Sequence, residues 1–206
     1  PDLKKYLWLS LPIMLGFSII MFDDWFLKRE ASFLAAGSIS SLQYAKTLMR
    51  VPMGVFGLAI GAAVYPTLSR LIAEKKDAEA FSLLTSTVKS ALVLAFGAQV
   101  VLTVAGKEIA EVIYGNRLLE GQHEEIGKAI GWISIGLWAW AAQTIVARGF
   151  YAKSQTWTPT LIGSIVTVAA FPLYTYLRKT GEVNGLAQAS SIAISTYVIF
   201  LMLQLQ

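Results

Sequence analysis

Apolar residues run along this chain in long blocks, divided by short clusters of charge. No charged residue occurs between Val51 and Leu68. A helix crossing the hydrocarbon core of a bilayer needs roughly 20 mainly apolar residues. Six blocks meet that length: 6–27, 40–72, 80–105, 124–152, 159–177 and 185–205. The second block is too long to be straight, and Pro52 and Pro66 predict bends in it. The third begins polar and turns mainly apolar from Ala91 to Ala105. The fifth opens on Pro159 just after Thr158, a pairing suited to a helix start. Between the third and fourth blocks, residues 107–114 repeat apolar positions at helical spacing. They predict a short helix lying in the membrane interface, followed by a loop from Gly115 to Gln122. Period-2 alternation is absent, and the blocks are too long for barrel strands. The expectation is an all-α integral membrane protein, with residues 1–206 forming a single membrane domain.

Composition narrows this further. The chain is 55% hydrophobic with a mean hydropathy of +0.58, and 15% of its residues are charged. Ordinary soluble domains carry roughly 25% charge, so this chain lacks the polar surface a soluble fold of its size needs. With no cysteine and one histidine, His123, disulfides, thiolate metal sites and multi-histidine metal sites are excluded. No metal or cofactor is expected. The net charge of +4 is small and scattered, which argues against nucleic acid as a partner. There is no Gly-rich phosphate loop, Walker-type Lys-Ser/Thr or GxSxG elbow. Glu124 and Glu125 are adjacent, so they point to different helix faces and do not form a paired-carboxylate centre. An enzyme is not expected. The first residue is Pro1, no signal peptide is visible, and the last apolar block is still open at Gln206. The chain reads as a piece of something longer.

The charges between blocks divide into two sets. One side of the membrane would hold Lys4, Lys5, Arg70, Lys75, Lys76, Arg148 and Lys153. The other would hold Lys28, Arg29, Lys107, Arg117, Lys128, Arg178 and Lys179. The counts tie, but the first set lies in short loops, which orientation weighs more heavily. This favours a cytoplasmic N-terminus.

Candidate chemistry concentrates at the second block. Lys46 and Arg50 lie at i and i+4, so they share a helix face. In lipid, each charge would cost about 2.5–3.5 kcal/mol on insertion scales. They therefore face water, a protein cavity or an anionic partner, or they snorkel to the headgroups. Asp23 and Asp24 close the first block and approach the second if the connection at 35–41 is tight. A carboxylate there would offset the burial of either cation. Gly54, Gly57 and Gly61 thin one side of the helix, and the Gly57–Gly61 spacing suits close helix packing. Pro52 and Pro66 mark bends, and carbonyls freed by a bend must find partners. Arg148 reads as an interfacial anchor near Tyr151 and Trp157. Gln99, Gln143, Thr144 and Gln188 are neutral polar groups that need partners across helix pairs.

Several of these residues fall into a known pattern. Tyr44-Ala45, Pro52-x-Gly54-Val-Phe-Gly57-Leu-Ala-Ile-Gly61 and Pro66-Thr-Leu-Ser69-Arg together resemble the MurJ (MviN) family of lipid II flippases. Ser32-Phe-Leu-Ala-Ala-Gly-Ser-Ile-Ser40 and Gly149-Phe-Tyr-Ala-Lys-Ser-Gln-Thr-Trp-Thr-Pro159 extend the resemblance, in family order from Leu11 to Phe200. The family belongs to the multidrug/oligosaccharidyl-lipid/polysaccharide exporter superfamily. The resemblance implies two six-helix lobes around a cationic cavity, with this chain as the second lobe and its N-terminus cytoplasmic. It implies a lipid-linked saccharide substrate, membrane lipids and the missing first lobe as partners, and a place in the bacterial cytoplasmic membrane. The implied activity is flipping of lipid II by alternating access, for cell-wall synthesis. The sequence departs from the family at Lys46-Thr47, where the family reads Asp-Arg and the arginine lines the cavity. Lys46 or Arg50 would then supply the cation that meets the substrate pyrophosphate, with Asp24 beside it. Two alternatives stay open: an exporter of another polyprenyl-linked saccharide, and a non-transporting scaffold of the cell-wall machinery.

Overall fold

A computed structural model of the chain describes residues 8, 10–12, 14, 24–115 and 122–205. Of the first apolar block, only those few positions and residues 24–27 are therefore described, and Asp23, Lys4, Lys5 and Arg117 lie outside. The described residues are helical almost throughout. Helix α1 covers 24–31, and α2 covers Ser38–Met53. A π-helical segment, Gly54–Ala59, joins α2 to α3, Ile60–Ala73. Then follow α4 (Asp77–Val104), α5 (Gly106–Tyr114), α6 (Gln122–Ser134), α7 (Leu137–Ala152) and α8 (Trp157–Leu203).

Three of these stretches are long and apolar enough to cross a membrane: Ser38–Ala73, Asp77–Val104 and Trp157–Leu203. The α6–α7 pair, bent by 43°, qualifies together as a fourth. The 47 residues of α8 would reach about 70 Å as one straight helix, at 1.5 Å per residue. They do not form one. Glu182 leaves the helical region at φ 50° and ψ −129°, and the chain doubles back there. The Tyr197 hydroxyl donates to the Pro159 carbonyl at 3.3 Å, so the two arms lie antiparallel. Gly185 faces the Leu177 carbonyl so closely that any Cβ would collide with it, which explains a glycine just after the turn.

Apolar residues are exposed along the long helices. Val93, Val100 and Val104 on α4, and Leu161, Ile165 and Val168 on α8, are exposed. Such aliphatic stripes are what a bilayer covers. Inside, Leu42, Ala45, Ile126, Ile130, Ile133 and Leu186 belong to one buried cluster, and Leu68, Leu84, Ile145, Phe150 and Leu201 to a second. Small residues dominate the helix contacts: Ala91 and Ala95 of α4 and Ala139, Ala141 and Ala142 of α7 are buried. Small side chains let helices approach closely, which favours association in lipid. The α1–α2 connection turns tightly at Gly37, whose φ of 99° is a left-handed conformation open to glycine at little cost. That turn brings the end of α1 back onto α2.

Candidate anion site on the helix with a π segment

Pro52 organises the local structure of the Ser38–Ala73 stretch. It has no N–H to give the Leu48 carbonyl, and its ring crowds that carbonyl. Gly54 and Gly57 follow and lower the resistance to an irregular turn. The π segment begins directly after, at Gly54. By contrast, α3 runs through Pro66 as regular α-helix. The wide turn thus sits one turn beyond the cations of α2.

Those cations have different surroundings. Lys46 is buried, and its ammonium donates to Asp24 Oδ1 at 3.1 Å. Lys28, on the same helix as Asp24, reaches the other oxygen at 2.7 Å. One carboxylate therefore holds two ammonium groups, leaving a net positive cluster where α1 meets α2. Arg50, one turn beyond Lys46, is exposed and has no ion-pair partner among the described residues. Thr47 is also exposed, and its hydroxyl turns back to the Gln43 carbonyl at 2.8 Å. So the position where the resemblance implies an arginine presents a threonine, and the exposed guanidinium stands three residues further along the helix.

The glycines have distinct neighbours. A Cβ on Gly57 would lie 2.7 Å from the Thr144 hydroxyl and 3.3 Å from the Ala141 Cα, so this residue packs directly on α7. A Cβ on Gly61 would lie 2.7 Å from Arg148 Nη1. Gly54 has nothing within 4 Å of the corresponding point. Pro66 is exposed within α3.

Around the same end of the bundle, further polar contacts fix the helices. Ser41, fully buried on α2, donates to Glu125 at 3.2 Å, whereas Glu124 is exposed and pairs with Lys128 at 2.8 Å. The two glutamates thus do diverge. The Tyr114 hydroxyl donates to the Tyr44 carbonyl at 3.1 Å, and the two rings pack 4.4 Å apart. Burial and the neighbouring Tyr44 push the Tyr114 pKa up.

Two contacts escaped the sequence reading. Glu30 is almost fully buried, with 3% of its side chain exposed, and accepts from Arg178 Nε at 2.8 Å. Arg178 also covers the Phe33 ring at 4.9 Å. The partners are 148 residues apart, so no local spacing reveals them. Arg148, expected as an interfacial anchor, is half-buried and lies along α3: its Nη1 donates to the Leu58 carbonyl of the π segment at 3.3 Å. Only a glycine at 61 makes room for it. The expected interhelical partners of Gln99 and Gln143 are not found either; their side-chain oxygens are buried without one among the described residues. Thr144 bonds within its own helix, to the Ala141 carbonyl.

The described residues offer no cluster of three or more His, Asp or Glu side chains able to hold a metal. The fold defines a multi-pass, all-α integral membrane protein with a long, cation-bearing helix interrupted by a π segment. The family described as "Lipid II flippase MurJ" matches residues 1–206, and the chain belongs to that family. The family is one of bacterial cytoplasmic-membrane transporters rather than enzymes. Among curated relatives, the probable lipid II flippase MurJ of Vibrio cholerae serotype O1 is 27% identical over 194 residues, covering 94% of this chain and 37% of that protein. The probable lipid II flippase MurJ of Treponema pallidum is 24% identical over 200 residues, covering 96% and 38%. A solved structure titled "Lipid II flippase MurJ, inward closed conformation" matches with a TM-score of 0.85 at 23% identity, covering 97% of this chain and 42% of that one. That likeness concerns the fold. The chain spans about two fifths of the length of these proteins.

Proposed function

We propose that this chain forms one lobe of a transporter that flips a lipid-linked peptidoglycan precursor, lipid II, across the bacterial cytoplasmic membrane. The exposed, unpaired Arg50 on a membrane-length helix carries this reading. A guanidinium there is costly against lipid; it snorkels to the headgroups or faces a wet cavity or an anionic ligand, and the net positive cluster of Lys28, Lys46 and Asp24 one turn away supports the cavity. The pyrophosphate of a polyprenyl-linked saccharide is such a ligand, and a guanidinium binds phosphate oxygens through two parallel hydrogen bonds. Lys46, with its counter-ion already supplied by Asp24, adds positive potential rather than a free ligand group. The other half of the cavity comes from a second six-helix lobe, and alternate exposure follows from one lobe rocking against the other. Pro52, Gly54, Gly57 and Gly61 shape and pack the helix that presents the cations, and Pro66 continues it. The short helix α5, with Val112 and Ile113 exposed, lies in the interface among membrane lipids. No covalent step is needed.

Complementation tests this. In cells depleted of their resident lipid II flippase, the full-length protein restores growth and normal shape. Failure to rescue, despite good expression and membrane insertion, argues for another polyprenyl-linked saccharide or for a scaffold without transport.

A further inference from the structure

Arg148 is a half-buried cation on α7, and among the described residues it has no carboxylate partner. Its hydrogen bond goes to a backbone carbonyl, that of Leu58, within the π segment. The guanidinium lies along Gly61: a Cβ there would stand 2.7 Å from Nη1, 3.1 Å from Cζ and 3.4 Å from Cδ. One turn earlier on α7, Thr144 abuts Gly57, and Ala141 supports the same glycine. Three successive turns of α7 therefore track the irregular turn from Gly57 to Gly61.

A π turn holds about one residue more than an α turn, and it disturbs the i→i+4 ladder. It is a strained alternative to regular helix, and something must favour it. Annealing it to α-helix displaces α2 against α3 by one residue. That is a rotation of about 100° and a shift of about 1.5 Å. Such a rotation carries Lys46 away from Asp24 and swings Arg50 off its exposed face. We infer that Arg148 is a positioning residue: by donating to the Leu58 carbonyl it pins the π turn, and through that turn it sets the direction in which the cations of α2 point. The functional meaning rests on the flippase reading, but the geometry does not.

Spin-label distances in the full-length protein decide the matter. This chain has no cysteine, so labels at Ser40→Cys on α2 and Lys128→Cys on α6, both exposed, report without background from these residues. Arg148→Ala carries the Ser40 label through about 8 Å, the chord of a 100° rotation of a helix about 10 Å across, and the distance distribution shifts by several ångströms. Deleting Val55 removes the extra residue of the π turn, so Arg148→Ala combined with that deletion returns the distance to the parent value. An unchanged distance in Arg148→Ala, or no return on deletion, overturns the inference. Should Arg148→Ala fail to accumulate, Gly61→Ala, whose Cβ occupies the guanidinium's seat, carries the same prediction and the same refutation. The distance is read without substrate. Loss of transport in the unaltered protein would thus contradict the flippase reading and leave the positioning role standing.

Discussion

The Lys46 ammonium lies 3.1 Å from an Asp24 carboxylate that Lys28 also holds, at 2.7 Å. The buried cation of α2 thus has its counter-ion from α1, and Asp24 ties the two helices together. Asp24→Asn leaves Lys46 buried and unpaired. The expected loss is about 2 kcal/mol, less than the ~3–5 of a fully buried pair because Asp24 is partly solvated. Thermal unfolding in detergent checks this, and adding Lys46→Met recovers most of the loss. No loss in Asp24→Asn would show that the pair does not stabilise the fold.

Arg50 stands apart in energetic terms. It is exposed and makes no ion pair among the described residues, so Arg50→Ala changes stability by no more than about 0.5 kcal/mol. A clear drop in melting temperature would mean that Arg50 holds the fold together rather than facing a ligand.

The glycines separate by their neighbours. Gly57→Ala places a methyl against the Ala141 backbone and the Thr144 hydroxyl, and overpacking of this kind costs about 1–3 kcal/mol. Gly54→Ala meets nothing within 4 Å, so stability is unchanged or rises by a few tenths of a kcal/mol, roughly as for other compatible glycine replacements. Equal effects at both positions would contradict the described packing of α2–α3 on α7.

Glu30 and Arg178 join the end of α1 to the turn of α8 at 2.8 Å. Glu30→Ala strands a largely buried guanidinium and costs about 3 kcal/mol. Arg178→Lys keeps the charge but loses the planar contact with Phe33, and it is expected to fall between parent and Glu30→Ala. Chemical-denaturant unfolding of the purified variants gives the order, and a neutral Glu30→Ala would sink this assignment.

The class of fold was legible because it depends on block length alone. No charge between Val51 and Leu68, and similar blocks around it, leave few options beyond membrane helices. The divergence of Glu124 and Glu125 was legible for the same kind of reason, since adjacent residues on a helix cannot face one way. A carboxylate near Lys46 could be anticipated from chain proximity across a short connection. The π turn could not. Pro52 and Pro66 look alike in sequence, yet the wide turn follows Pro52, where glycines and α7 accommodate it, while α3 continues as regular α-helix through Pro66. The contact of Arg148 with the Leu58 carbonyl was not legible for a related reason: it depends on α3 and α7 lying side by side, with Gly61 clearing the space. The Glu30–Arg178 pair depends on contacts between distant segments and leaves no local signature.

Reconstituted transport tests the central claim most directly. Full-length protein is placed in vesicles carrying lipid II in one leaflet, and the fraction reaching the other leaflet is followed with time. The account predicts translocation by the parent, a loss of about tenfold or more in Arg50→Ala, as removal of a charge-assisted phosphate contact implies, and partial recovery in Arg50→Lys. Lys46→Ala, which disturbs the Asp24 pair beside it, also impairs the rate. Translocation at the parent rate in the Lys46→Ala/Arg50→Ala double variant would contradict the cation assignment, and no translocation by a well-folded parent protein would contradict lipid II as the substrate.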